Sequence, residues 1–437
     1  MDKLLPDLYS SYGRYINEFR AFPSILDGCK IVERRLLMSL HEEAKDHLVK
    51  SVKVVGHCLA NYHGHGDQSA YSSLVGLVQN GLAIGQGNWG NDVGVETSPP
   101  AAMRYTETRM SKEILSLAFE YIKDVPYKAL ELEEEPIFIP TKLPICLIGE
   151  INYCCGLGFG YRTLIPCYTK SDLLKRLQWL LADKNGIEPI IKPITDCTYL
   201  STETEFKQLL TTGNSKIDYE GKFHIDGRNS IIVTSVPPSR SFTSILKKFE
   251  KEIAIEKSLG WQDESKDKTR VRFTIIKPRC LSLPELTNKM KIALKGSLTF
   301  ECNVCNTSGK VVTLSIDQML LNVYNVYKQV VDYVLKKNIQ DIQNSIDELL
   351  FIEKIKPLLS IQLKQNPDDI DLVLFNIAKS LDTKIETIKS LFDKYTISRI
   401  FRVKTDTAKL KSEQNDIQTK LNNITTYIWN EKYASIK

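Results

Sequence analysis

The chain has 437 residues, is 42% hydrophobic and 25% charged, and carries a formal net charge of +5. That is the balance of a soluble globular protein with room for two or three domain cores. It excludes a uniformly basic coat, so a nucleic-acid surface has to come from local clusters. No apolar run approaches the roughly 20 residues of a membrane span, and the opening MDKLLPDLYSSYGRY has no basic-then-apolar signal pattern. The ten cysteines form no regular framework, which points to buried thiols in a reducing, cytoplasmic compartment.

Residues 1–140 mix short amphipathic helices with glycine-rich loops. Ile31, Val32, Leu36, Leu37 and Leu40 recur at helical spacing, as do Val52, Val55 and Leu59. The second helix runs into YHGHGDQ, where Gly64 and Gly66 break it and Asp67 is placed to cap the next helix, SAYSSLVGLVQ. Two helices joined through glycines beside the basic cluster Lys30, Arg34 and Arg35 suit a helix-turn-helix or winged-helix module.

Residues 141–315 read as mixed α/β. GKFHID, SIIVTSVPP and TRVRFTIIKP have strand patterns, and Phe242 to Lys257 has a helical one. From residue 316 to 437 the pattern is helical throughout. Leu320, Tyr324, Tyr327, Val331, Val334, Ile339, Ile342, Ile346 and Leu349 form one seam. Val403, Leu410, Ile417, Leu421, Ile424 and Ile428 form a second. The two suit either an out-and-back arm with a helical knob at about 356–400 or two core helices of a bundle.

Three motifs read more simply than they look. GQGNWG, residues 85–90, fits G-x-G-x-x-G, but the turn-rich NDVGVETSPP after it cannot open the helix a dinucleotide site needs. CNVC, residues 302–305, has no second ligand pair, so packing of Phe300, Cys302 and Val304 along a strand is expected. Asn366-Pro367-Asp368-Asp369 reads as a helix start and not as a magnesium site. No metal ligand set is visible.

His63 and His65, two of six histidines, lie two apart in a glycine-spaced loop. Phosphate contact or transition-state stabilisation suits them better than metal binding. Arg104-Tyr105 in AAMRYTETRM is the sharpest pair. A tyrosine attacking a phosphate needs a neighbouring cation, because an ordinary phenol ionises only near ~10 and two anions repel.

Together these blocks resemble the breakage-reunion subunit of type IIA topoisomerases, the gyrase A and topoisomerase IV group. Arg20-Ala21-Phe22-Pro23 with Asp27-Gly28-Cys29-Lys30 and Arg34-Arg35 resembles R-A-L-P…D-G-L-K-P-V-x-R-R. YHGHGD resembles Y-H-P-H-G-D, GQGNWG resembles G-Q-G-N-F-G, and AAMRYTETRM resembles A-A-M-R-Y-T-E-x-R-M. IIVTSVPP resembles the I-I-V-T-E-L-P-Y of a tower domain. The likeness spans nearly the whole chain and implies a multidomain α/β (α+β) fold. Its parts would be a winged-helix domain at 1–140, an α/β tower at 141–315, and at 316–437 a long antiparallel coiled-coil arm with a helical dimerisation knob, the C-gate.

The resemblance also implies a reaction. Tyr105 would attack a backbone phosphorus of double-stranded DNA, forming a 5′-phosphotyrosine and releasing a 3′-hydroxyl. Arg104, with His63, His65 and Arg20, would offset the charge on phosphorus. Lys30, Arg34 and Arg35 would grip the duplex. Leu157 in GLGFGYRT would be an apolar wedge between base pairs; a buried strand-end leucine is the plain alternative. Magnesium and ATP would sit on a Toprim/ATPase partner subunit in trans, since neither a Toprim module nor GxxxxGK[ST] occurs here. With no wrapping repeats before Lys437, relaxation or decatenation is expected over supercoiling. A short subunit of this kind is most similar to the medium subunit of large tailed phages, which would place it in a host cytoplasm. Two rival readings are weaker. A tyrosine recombinase would carry its tyrosine near the C-terminus, and a non-enzymatic winged-helix DNA-binding dimer leaves Arg104-Tyr105 and HGHG unexplained.

Overall fold

The computed structural model describes residues 4–90, 99–130, 133–150, 153–238, 240–241, 243–247, 260–265, 271–278, 281–367, 369–404 and 406–436. It is a mixed α/β, multidomain chain that divides into two compact units. Unit 1 holds Met1–Tyr327 with Tyr433–Lys437, and unit 2 holds Lys328–Lys432. No helix among the described residues is long and apolar enough to cross a membrane.

Unit 1 opens with α1 (Leu4–Ile16) and a π-turn (Asn17–Ala21), then α2 (Ile31–Glu43), α3 (Ser51–Asn61) and α4 (Asp67–Gln79). The apolar spacing predicts α2 correctly: Leu36, Leu37 and Leu40 are buried, and the Lys30 amide donates to Glu33 Oε2 (2.9 Å) at its start. Two local expectations shift. Gly66 caps α4 and Asp67 is its first helical residue, still favourable at the positive dipole end. Val52 is exposed, while Val54, Val55 and Cys58 form the buried face of α3. Beside these helices lies an antiparallel three-stranded sheet of β1 (Val49–Lys50), β2 (Ala83–Gln86) and β3 (Glu107–Met110), with β3 in the centre. The short α5 (Lys112–Ala118) and the hairpin of β4 (Tyr127–Ala129) and β5 (Glu134–Pro136) follow.

The middle of unit 1 holds two further sheets. One has five antiparallel strands in the order β6 (Tyr153–Leu157), β7 (Arg162–Pro166), β14 (Lys295–Glu301), β9 (Asn214–Glu220), β8 (Thr198–Tyr199). The other has four, in the order β10 (Phe223–Asp226), β11 (Ser230–Val233), β13 (Phe273–Ile276), β12 (Trp261–Asp263). Helix α7 (Glu203–Thr212) packs on β9 of the first, and α6 (Lys170–Leu181) follows β7 in the chain. Helix α8 (Leu283–Ala293) packs on the second through Leu286, Met290 and Ala293 against Ile231, Val233 and Phe273. Of the helix expected from Phe242 to Lys257, residues 243–247 are helical and the rest lies outside the described residues. Phe300, Cys302 and Val304 are buried as strand packing requires, and β15 (Asn303–Cys305) pairs with β16 (Val311–Thr313).

The loop before α2 is tied to the helical turn Ile145–Leu147 that precedes β6. The amides of Ile145 and Cys146 donate to the carbonyls of Asp27 and Gly28 (3.0 and 3.1 Å). Gly28 has φ +74°, and a Cβ there would come within 2.8 Å of the Ile145 nitrogen, so only glycine fits.

Helix α9 runs from Ile316 to Gln365 as 50 residues and continues through Pro357. Within unit 2 the chain after it runs back alongside. Lys328 Nζ donates to Thr425 Oγ1 (3.0 Å), Gln414 Nε2 to Gln343 Oε1 (3.0 Å), and Lys356 Nζ to the Val403 carbonyl (2.6 Å). The partners run in opposite directions, so the pairing is antiparallel. On the return helix α13 (Ala408–Asn422), Leu410, Ile417 and Leu421 reach only half-burial, as a two-helix seam allows. Between α9 and α13, α10 (Ile370–Ser380), α11 (Ile385–Lys394) and α12 (Ile397–Arg402) build a small core of Ile352, Ile355, Leu359, Ile377, Ile388 and Ile400. Asp369, not Asn366, caps α10, accepting from the Leu372 amide (3.0 Å).

Candidate active site

Tyr105 ends a turn at residues 103–105 that leads into β3. Its amide donates to the Ala102 carbonyl (2.8 Å), and its ring is 64% exposed. Arg104 lays its guanidinium over that ring, with Cζ 4.6 Å from the centroid, a cation–π arrangement that puts a permanent charge next to the phenol. The next residue, Thr106, is fully buried. Its carbonyl accepts from the Ser51 amide (3.0 Å), and its Oγ1 lies 2.8 Å from Ser51 Oγ and 2.9 Å from Tyr71 Oη. The exposed tyrosine is thus held through its neighbour to the first turn of α3 and the middle of α4.

The connection between those two helices carries the histidines. Glu135, buried, takes both Nε (2.7 Å) and Nη2 (3.1 Å) of Arg35, and Arg35 Nη1 lies 3.0 Å from His63 Nδ1. A guanidinium can only donate, so His63 Nδ1 is the acceptor and its proton sits on Nε2. Burial pushes Glu135 up, but the bonds and charge of Arg35, with Lys128, more than reverse that and hold it below the usual range. Burial, followed by the charges of Arg35, His65 and Arg20, pushes His63 from 6.5 down to about 4. His65 is lowered as well, by burial and then by Arg20 and Arg35. It stands 4.7 Å from His63, ring to ring, and its Nε2 is 3.0 Å from the Tyr15 hydroxyl. The pair is neutral at pH 7 and suits hydrogen-bond donation to an anion.

This gives a test by pH. Between 6.5 and about 4 the unfolded chain binds a proton that folded His63 refuses, so its contribution is present above 6.5 and lost as pH falls. The melting-temperature advantage of the native protein over His63→Gln should narrow steadily from pH 7 to pH 4. A difference that stays constant across that range contradicts the assignment.

His63, His65, Arg20 and Lys30 line one cleft of about 920 Å³, together with Ser69 and Ser73 of α4. Arg20 is exposed and Lys30 half-buried, with Lys30 Nζ donating to the Cys155 carbonyl (2.6 Å). Arg34 and Arg35 are placed differently. Arg34 is 4% exposed and held by Asp27 through Nε (2.7 Å) and Nη2 (3.1 Å), and Arg35 is buried against Glu135. Leu157 stands 84% exposed at the end of β6, so it is not the buried strand-end leucine of the plain alternative. Glu135, Tyr15, Tyr71 and Ser51 carry no such signal in the sequence, because each acts through a partner distant along the chain. Among the described residues no group of three His, Cys, Asp or Glu side chains could hold a metal ion.

A sequence model of the family of DNA gyrase/topoisomerase IV A subunits matches residues 20–436. The chain belongs to that family. It is 26% identical over 471 residues to the A subunit of DNA topoisomerase 4 from Bacillus subtilis (strain 168), covering 99% of this chain and 56% of the relative. It is 30% identical to the A subunit of DNA gyrase from Deinococcus deserti over 61% of this chain and 35% of the relative. To the corresponding gyrase protein of Thermotoga maritima it is again 30% identical, over 63% and 36%. The chain therefore spans about half, or less, of the length of these curated relatives.

Proposed function

We propose that this chain is the DNA cleavage and rejoining subunit of a type IIA topoisomerase, with Tyr105 as nucleophile. The observation that carries this is the exposed phenol under the Arg104 guanidinium, on a turn bonded to the helices whose connection holds His63 and His65. Tyr105 Oη bonds to a backbone phosphorus as the bond from phosphorus to the 3′-oxygen breaks. The phenol loses its proton, the 3′-oxygen gains one, and the product is a 5′-phosphotyrosine. One phosphoester replaces another, so resealing needs no energy source. Arg104 faces the charge that develops, and Arg20 with neutral His63 and His65 supplies further donors.

The α3–α4 pair with the β1–β3–β2 sheet supports a winged-helix module, and the two central sheets with α8 support a tower. The antiparallel arm and its helical core support a homodimer closed through that core, and two tyrosines per dimer would cut both strands of a duplex. Among the described residues no group of three His, Cys, Asp or Glu side chains could hold magnesium, and the carboxylate nearest Tyr105 in sequence, Glu107, is paired with Lys50 (2.8 Å). On the family likeness, magnesium and ATP would be held by a Toprim/ATPase partner, and no step of this chain runs through them. Supercoiled plasmid mixed with both proteins, magnesium and ATP should yield protein-linked breaks; a plasmid left uncut and unrelaxed by the complete mixture contradicts the assignment.

For the duplex grip, the geometry favours Arg20 and Lys30 as phosphate contacts and gives Arg34 and Arg35 the task of holding the scaffold. Leu157 is the wedge. Arg20→Ala and Lys30→Ala should each weaken duplex binding without changing sequence preference and lower the slope of log affinity against log salt by about 1. Unchanged slopes from fluorescence-anisotropy titrations would remove these two residues from the phosphate path.

A further inference from the structure

We propose that Tyr71, Thr106 and Ser51 are positioning residues for Tyr105, a buried hydroxyl relay that pins the reactive turn at both ends; this rests on reading Tyr105 as the nucleophile. Tyr71 Oη lies 2.7 Å from the Ala101 carbonyl and 2.9 Å from Thr106 Oγ1. One phenol thus joins the residue that enters the turn to the residue that leaves it. Thr106 Oγ1 in turn meets Ser51 Oγ at 2.8 Å. All three side chains are buried.

Each hydroxyl has one proton to give, and the carbonyl can only accept. Tyr71 donates to the Ala101 carbonyl and Thr106 donates to Ser51 Oγ, with Tyr71 Oη lying against Thr106 Oγ1 between the two bonds. Removing any member leaves a buried polar group unpaired and loosens one end of the turn. The space around the turn is closed from a second side. Gly87 has φ +101°, and a Cβ there would lie 3.3 Å from the Tyr105 carbonyl oxygen.

In-line attack on phosphorus needs the phenol oxygen placed to a fraction of an ångström, and a misplacement of about 1 Å costs ~100-fold. An exposed side chain achieves that only from a rigid base, and the relay makes the base rigid from beneath. None of the three residues lines the cleft, so losing a hydroxyl should slow the chemistry and leave duplex affinity alone.

The test uses the complete chain with its Toprim/ATPase partner and a linear duplex, under single turnover. Tyr71→Phe keeps the packed ring and should slow formation of the Tyr105 adduct by ~10–100-fold, with duplex Kd within about twofold. Thr106→Val should behave alike, and Thr106→Ser should recover the rate, which keeps the test informative if Tyr71→Phe folds poorly. Rates equal to the native protein for both Tyr71→Phe and Thr106→Val overturn the relay, as does a loss of affinity that matches the loss of rate. A native protein that forms no adduct overturns the relay together with the reading beneath it, whereas an intact native adduct with unaffected variants sinks the relay alone.

Discussion

Tyr105→Phe should abolish protein-linked DNA breaks, lowering cleavage by ~10⁴-fold or more, because the nucleophile itself is removed and no other group can form the ester. The variant should fold normally. The ring is mostly solvent-facing, and its hydroxyl contributes no hydrogen bond among the described residues, so the stability change stays within about 0.5 kcal/mol. Duplex affinity should also hold, since the phosphate contacts come from Arg20 and Lys30 on the cleft and the wedge from Leu157. The decisive pattern is loss of chemistry with retained binding, read by detergent-trapped adducts beside anisotropy. A variant that still traps DNA covalently would move the nucleophile elsewhere. One that loses both adduct and binding would turn Tyr105 into a contact residue.

Asp27→Ala should cost ~3–5 kcal/mol of stability, the largest structural effect foreseen. Asp27 is fully buried and accepts four bonds: Arg34 Nε (2.7 Å) and Nη2 (3.1 Å), the Cys29 amide (2.9 Å) and the Ile139 amide (3.0 Å). Burial alone would lower Arg34, but Asp27 more than reverses that and raises it; a guanidinium is in any case too basic to lose its proton, so the charge stays in the core when the carboxylate is removed. Removing the carboxylate strands that charge and two amides together, at the junction of α2, the loop before it and the segment carrying Ile139. Asp27→Leu combined with Arg34→Met should recover part of the loss, since no unpaired ion remains. Urea denaturation followed by tryptophan fluorescence checks both. A loss below about 1 kcal/mol for Asp27→Ala would show that water reaches the pair.

Helix α2 shows where the sequence is legible and where it is not. The helical spacing of Leu36, Leu37 and Leu40 located α2, because burial of an apolar face repeats with the helix. That spacing says nothing about Arg34 and Arg35, whose direction depends on partners seven and 100 residues away. A basic pair next to a DNA site looked like a phosphate grip, and its carboxylates were invisible until the chain folded. Leu157 was ambiguous for a related reason. Strand alternation offers both faces, and only the end of β6 and its turn into β7 decide that this side chain leaves the core. Helix starts misled by one to three residues at Gly66 and Asp369, where several residues in a row were capable caps. Arg104-Tyr105 was readable because its meaning is local: the cation and the phenol are neighbours in sequence and stay so in space.

In the proposed reaction one phenol oxygen becomes esterified to DNA. Trapping the cleaved complex, digesting it with nuclease and trypsin, and sequencing the remaining nucleotide-bearing peptide by mass spectrometry tests it most directly. The expected carrier is the short peptide Tyr105–Arg109 that follows Arg104, with a 5′-phosphate on the tyrosine. A nucleotide found on any other residue, or an adduct-free Tyr105 peptide from a preparation that cuts plasmid, would rule Tyr105 out as the nucleophile.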